Sequence, residues 1–146
     1  MSPEGLALIG PLALSHLRRS GWNVQAVGGL TLGADPISYA ISYASAGSGT
    51  PLRAFTVRKE PKAHGTGRQI EGPFHAGDRV AVIEDVITTG GSALRAAEAI
   101  RNAGGIIAGV LALVDREEGG REAIEATGLE VLVLTRATEV TARLDG

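Results

Sequence analysis

The sequence predicts an α/β fold: a mostly parallel β-sheet flanked by helices on both faces. Three observations carry that prediction. Apolar runs and helix-period segments alternate along the chain, the pattern of a sheet whose strands are joined by crossover helices. Residues 79–83 and 106–114 are nearly continuous apolar runs without polar alternation, as expected of strands buried on both faces. The length of 146 residues, with 44% hydrophobic and 21% charged side chains, fits one domain, residues 1–146, able to bury a core without a covalent staple.

Each element has a local reason. Ser2-Pro3-Glu4 is a helix start, with Ser2 as cap and Pro3 in the first turn. Leu6, Ile9, Leu14 and Leu17 keep roughly helical spacing until Gly21, which follows Arg18 and Arg19. Pro11 is expected to kink or break this helix. Residues 24–27 form a short apolar run entering Gly28-Gly29, read as the start of a glycine-bracketed turn. Residues 36–46 read as a helix packed through small side chains, and 52–57 as a strand. Residues 59–77 form a long polar stretch, read as a flexible loop. The strand at 79–83 is followed by a helix at 92–103, ended by Gly104-Gly105. A second buried strand at 106–114, a short helix at 121–127 and a strand at 130–134 complete the series. No internal repeat or low-complexity tract interrupts it.

Composition excludes several classes of function. The formal charge of -2 argues against bulk binding to nucleic acid or membranes. Aromatic residues are only 3%, too few for base-stacking platforms. The absence of cysteine removes disulfides, thiol catalysis and cysteine-bound zinc. No apolar run reaches the roughly 20 residues that span a bilayer, and the first residues do not read as a signal peptide. A cytoplasmic protein is expected. The Walker phosphate loop, the dinucleotide fingerprint and the G-x-S-x-G elbow are all missing. His16, His64 and His75 are too scattered to form a metal site.

In a parallel sheet, ligands bind beyond the carboxyl ends of the strands, so chemistry is sought at strand-to-helix turns. The strongest constellation is Glu84-Asp85-Val86-Ile87-Thr88-Thr89-Gly90-Gly91-Ser92. Two carboxylates end a buried strand, and hydroxyls and glycines then open a helix. Glycines let successive N–H groups converge, and the helix start adds partial positive charge. This suits a phosphate monoester. The carboxylates would repel that phosphate, so they face sugar hydroxyls or a magnesium ion carried by the ligand. A helix cap after an ordinary turn is the bland alternative.

A second constellation is the basic segment Arg58-Lys59-Glu60-Pro61-Lys62-Ala63-His64-Gly65-Thr66-Gly67-Arg68. Glycines at 65 and 67 give it hinge freedom, and it suits a lid over a polyanion; a solvated charged loop is the alternative. Gly28-Gly29-Leu30-Thr31-Leu32-Gly33-Ala34-Asp35-Pro36 offers backbone amides for a further phosphate, or is a plain tight turn. Arg116, past the buried strand at 106–114, could clamp a carboxylate or simply begin a solvated helix.

The segment from Val82 to Ser92 resembles the signature of type I phosphoribosyltransferases, whose fold is Rossmann-like. With Arg58-Lys59-x-x-Lys62-x-His64-Gly65 it is similar to the orotate phosphoribosyltransferase family, and the likeness covers the whole chain in order. The resemblance implies transfer of phosphoribosyl from phosphoribosyl pyrophosphate (PRPP) to orotate, giving orotidine 5'-phosphate and pyrophosphate, assisted by Mg2+. Glu84 and Asp85 would hold the ribose hydroxyls. Thr88 to Ser92 would bind the 5-phosphate, with Thr88 also close to orotate, and Val86 and Ile87 would belong to the same substrate-binding segment. Arg58, Lys59, Lys62 and His64 would neutralise the leaving group, so Lys59, His64 and Asp85 are the expected catalytic residues. Arg116 would meet the orotate carboxylate. A homodimer sharing the basic loop between subunits is also implied. So is a preceding segment of some tens of residues that this chain lacks, and Leu32 stands where some members carry lysine. Two other readings keep PRPP: a purine or different pyrimidine acceptor, and a non-catalytic PRPP-sensing regulator. Arg116 speaks against the first and the basic segment against the second.

Overall fold

The computed structural model describes residues 1–64 and 67–146. The elements run α1 (Pro3–Ser20), β1 (Ala26–Leu30), α2 (Asp35–Ser45), β2 (Arg53–Val57), β3 (Ile70–Glu71), β4 (Arg79–Ile87), α3 (Gly91–Asn102), β5 (Ile106–Asp115), α4 (Gly120–Glu125), β6 (Val131–Arg136) and α5 (Ala137–Asp145). The strands form one six-stranded sheet in the order β3-β2-β1-β4-β5-β6. All pairings are parallel except β2 with β3. The predicted class is therefore observed, with an antiparallel edge.

Burial on both faces explains the continuous apolar strands. Val80, Val82, Val110 and Ala112 pack with Ala93, Ala96, Ala97 and Ile100 of α3 and Ile124 of α4. The alternate residues Ala81, Ile83 and Leu111 pack on the other side with Ala13 and Leu17 of α1 and Ile37 and Ile41 of α2. Successive strand side chains thus enter two different cores. Among the described residues no helix is long and apolar enough to cross a membrane.

Several expectations need correction. Helix α1 is not broken at Pro11 but runs on to Gly21, which closes it at φ 75°. Pro11 and Ala7, whose carbonyl loses its partner, are both exposed, so water satisfies that oxygen while the opposite face stays buried. Strand β1 starts two residues later than read and includes Gly28 and Gly29, which pair with Phe55 and Thr56 of β2. They are strand residues because the neighbours leave no room. A Cβ at Gly28 would lie 2.5 Å from the Phe55 carbonyl oxygen, and one at Gly29 would lie 2.0 Å from that of Ile83. The polar stretch at 59–77 contains β3, whose two residues are too few for periodicity to reveal. Strand β4 runs on to Ile87, so Glu84 and Asp85 sit within the strand rather than beyond it. Helix α5 was not anticipated. No residue of it is buried, and its apolar Val140 and Leu144 stay exposed; Glu139 Oε2 accepts from Arg136 N (3.0 Å) and Thr135 Oγ1 (3.1 Å) at its start.

The chain leaves β1 toward β2 and β3, then returns to place β4 on the other side of β1. The carboxyl ends of β1 and β4 therefore flank the point where strand order reverses, where open α/β sheets bind ligands. At the opposite end, Arg53 donates to Asp78 Oδ1 (2.7 Å) and Oδ2 (2.8 Å), joining the starts of β2 and β4. That guanidinium holds the Asp78 carboxyl below its ordinary range. Asp78 also accepts from His75 N, so His75 does lie in a turn.

Candidate active site

The loop after β4 and the turn after β1 meet at this reversal point. A Cβ on Gly33 would lie 2.7 Å from Asp85 Oδ2, so the turn is packed against that carboxylate. Thr31 Oγ1 donates to Asp35 Oδ2 (2.6 Å), and Thr56 Oγ1 of β2 donates to Asp35 Oδ1 (3.0 Å). Asp35, in the first turn of α2, thereby ties the turn to β2. In the sequence this aspartate was only a member of the glycine-bracketed turn; its bond to Thr56 is a tertiary contact.

Glu84 is buried at 7% exposure, whereas Asp85 is half-buried and accepts from Val86 N (2.8 Å). Burial first, and then the hydrogen bond and like charge of Asp85, push the Glu84 carboxyl up to about 8. Near neutral pH the pair therefore carries less than two negative charges, which lessens repulsion of a phosphorylated ligand. The shift also has a stability consequence. The folded state holds this proton to about pH 8, the unfolded chain only to about 4.5. The stabilisation is thus complete below about pH 4.5 and is lost as pH rises through about 8. Urea midpoints between pH 5 and 9 are expected to fall more steeply in the parent than in Glu84→Gln, and parallel curves would contradict this.

Gly90 adopts φ 88° and leads into α3. Gly91 N donates to Thr89 Oγ1 (3.4 Å), while the amides of Thr89, Gly90, Ser92 and Ala93 have no acceptor among the described residues. Four unpartnered donors at the mouth of a helix are an arrangement that suits an anion. Gly120 of α4 supports it from behind; a Cβ there would lie 2.3 Å from the Thr88 carbonyl oxygen. Sequence reading missed Gly120, because nothing local marks a residue whose constraint lies across the fold.

The basic segment leaves the carboxyl end of β2, on the same side of the sheet. Arg95 Nη2 of α3 donates to the Lys59 carbonyl (3.2 Å), which ties the segment to the helix that opens at the cradle. The Lys59 ammonium has no ion pair among the described residues, and His64 is exposed. Arg58 and Lys62 both reach Glu71 of β3. Gly65 and Thr66 lie outside the described residues, so the expected hinge at 65 does too. Arg95 and Glu71 were not singled out from sequence; their roles depend on which elements are neighbours.

Arg116 follows β5 beside β4, with its amide donating to the Ile87 carbonyl (3.1 Å). Its exposed guanidinium pairs with Glu118 (3.1 Å). The structure thus brings Glu84, Asp85, the 88–92 cradle, the turn at 31–35, the basic segment and Arg116 to one end of the sheet. A cavity of about 450 Å³ lies between residues 67–76 and the end of α3; Gly67 and Arg68 of the basic segment line it, and none of the motif carboxylates does. Among the described residues no group of three or more metal-ligating side chains occurs.

A doubly wound sheet with two strand-end carboxylates and an amide cradle at its reversal point defines the class of the type I phosphoribosyltransferases. No family model matches the chain. It is 52% identical over 138 residues to an orotate phosphoribosyltransferase of Aquifex aeolicus, covering 94% of this chain and 74% of that protein. The solved phosphoribosyltransferase of Corynebacterium diphtheriae superposes with a TM-score of 0.85 at 41% identity, covering 96% of this chain and 79% of that one. The Mycobacterium tuberculosis orotate phosphoribosyltransferase in complex with PRPP gives a TM-score of 0.75 at 44% identity, covering 88% of this chain and 74% of that one. The chain belongs to the orotate phosphoribosyltransferase family.

Proposed function

We propose that this chain transfers the phosphoribosyl group of PRPP to a ring nitrogen of orotate, a step of pyrimidine nucleotide biosynthesis. The bond from C1 of the ribose to pyrophosphate breaks, the bond to the base nitrogen forms, and pyrophosphate leaves. The observation that carries the reading is the meeting of a carboxylate pair with an amide cradle at the β1/β4 reversal point, beside a cationic segment held by Arg95.

The roles follow from charge and position. The cradle from Thr88 to Ser92 takes the 5-phosphate, while Glu84 and Asp85 accept from the ribose hydroxyls. As the transition state approaches an oxocarbenium ion, positive charge grows on the sugar and negative charge on the leaving group. Lys59, with Arg58, Lys62 and His64, meets the latter; Asp85 stabilises the former. Little covalent work is asked of the protein, so positioning and electrostatics supply the rate. Covering the site with the basic segment keeps water from the sugar cation. Arg116 exchanges Glu118 for the orotate carboxylate, a like-for-like exchange of charge partners. The two adjacent carboxylates are hard oxygen donors that suit magnesium arriving with pyrophosphate oxygens and water. Bound there, the ion would supply charge neutralisation on the pyrophosphate.

We further read the working unit as a homodimer with the basic segments shared across its two subunits. A cytoplasmic location fits the cysteine-free composition. The test is an absorbance assay of orotate consumption with PRPP and magnesium, run beside adenine, guanine and uracil. Consumption of orotate alone is expected. Preference for another base would move the acceptor assignment away from Arg116, and PRPP binding without turnover on any base would indicate a sensor.

A further inference from the structure

The cations of the basic segment are not all equally available. Glu71 Oε1 lies 3.3 Å from Lys62 Nζ and 3.6 Å from Arg58 Nη1. That oxygen is covered, yet it has no hydrogen-bond partner among the described residues, although the Glu71 side chain as a whole is 42% exposed. It is held by charge without directional bonding, which is the kind of contact an anion can exchange. We propose that Glu71 is the resting counter-ion of Arg58 and Lys62, displaced by the pyrophosphate group when substrate binds and restored when product leaves. The inference rests on the functional reading above and assigns that site a further positioning residue.

The backbone fixes which partner moves. Glu71 pairs with Thr56 in the β2–β3 ladder, so its position is anchored to the sheet. Arg58 N donates to the Gln69 carbonyl (2.7 Å), Gln69 Nε2 to the Arg58 carbonyl (3.0 Å) and Lys62 N to the Arg68 carbonyl (3.2 Å). These bonds hold the two limbs together, so exchange requires only that the two long cationic side chains swing away from the carboxylate. Lys59 is treated differently. Its carbonyl is held by Arg95 and its ammonium carries no counter-ion among the described residues. Glu71 therefore separates a permanently available lysine from two cations whose charge is cancelled at rest.

The chemistry favours exchange. Pyrophosphate carries several negative charges and many acceptor oxygens, and Arg and Lys bind it more strongly than they bind one half-exposed carboxylate. Competition from Glu71 lowers affinity for PRPP and for pyrophosphate together without touching a reacting atom. A cationic segment left uncompensated would retain its product. Glu71 thus sets the balance between capture and release.

Calorimetric binding of inorganic pyrophosphate with magnesium tests this. In Glu71→Gln the dissociation constant is expected to fall about three- to tenfold, the range for losing two partly exposed competing ion pairs. The KM for PRPP is expected to fall with it. Glu71→Ser should move both values in the same direction, since charge rather than shape is responsible. A merely structural role predicts the reverse, because loosening the hairpin would weaken binding. Unchanged or weaker pyrophosphate binding in both variants, with the parent binding normally, overturns the inference alone. A parent that binds no pyrophosphate overturns the functional reading and this inference with it.

Discussion

Replacing Lys59 with alanine lowers turnover about 100- to 1000-fold and weakens PRPP binding far less. The magnitude is that of removing one preorganised charge from a site where charge develops, about 2.7–4 kcal/mol. The asymmetry follows from the position of this lysine. Its backbone is fixed by Arg95, and its ammonium makes no ion pair at rest among the described residues. A contact that strengthens as pyrophosphate departs acts on the barrier, whereas ground-state binding is shared among the cradle, the carboxylates and the other cations. Steady-state kinetics and calorimetry on the same preparation separate the two quantities. Equal loss in kcat/KM and in affinity would reassign Lys59 to ground-state binding, and turnover and affinity both unchanged would remove Lys59 from the mechanism.

Gly29→Ala destabilises the fold by about 3 kcal/mol, the upper part of the usual range for overpacking. The added Cβ would sit 2.0 Å from the Ile83 carbonyl oxygen and 2.7 Å from the Ala34 Cβ. Neither obstacle is a flexible side-chain end. Strand β1 is paired on both sides, to β2 and to β4, so relief requires separating central strands. The loss is a large part of the roughly 5–15 kcal/mol that holds a domain together. Ile83 immediately precedes Glu84, so separation also displaces the carboxylate pair. Urea denaturation checks the value, with Gly47→Ala as comparison, because a Cβ at Gly47 meets nothing within 4 Å. Equal midpoints for the two variants would show that the strands do not approach this closely.

The two glycines at 28 and 29 mark where sequence reading reaches its limit. Locally they resemble a turn, because glycine is the residue of turns. In the fold they are demanded by neighbouring strands that approach from either side, which no window of sequence contains. Pro11 shows the converse: a local breaker was overruled because its lost hydrogen bond faces water. The carboxylates, hydroxyls and glycines were legible together because they form one continuous segment. Glu71, Arg95 and Gly120 were not, since each acts through a contact with a different element.

By itself the sequence determined the class of fold, the order of most elements and the continuous run of carboxylates, hydroxyls and glycines from Glu84 to Ser92. These depend on burial patterns and residue types that are written consecutively. The tertiary structure alone decided that β4 lies beside β1 and that Gly33 meets Asp85. It also decided which basic groups lie beside a carboxylate, because that depends on strand order and on distances across the sheet.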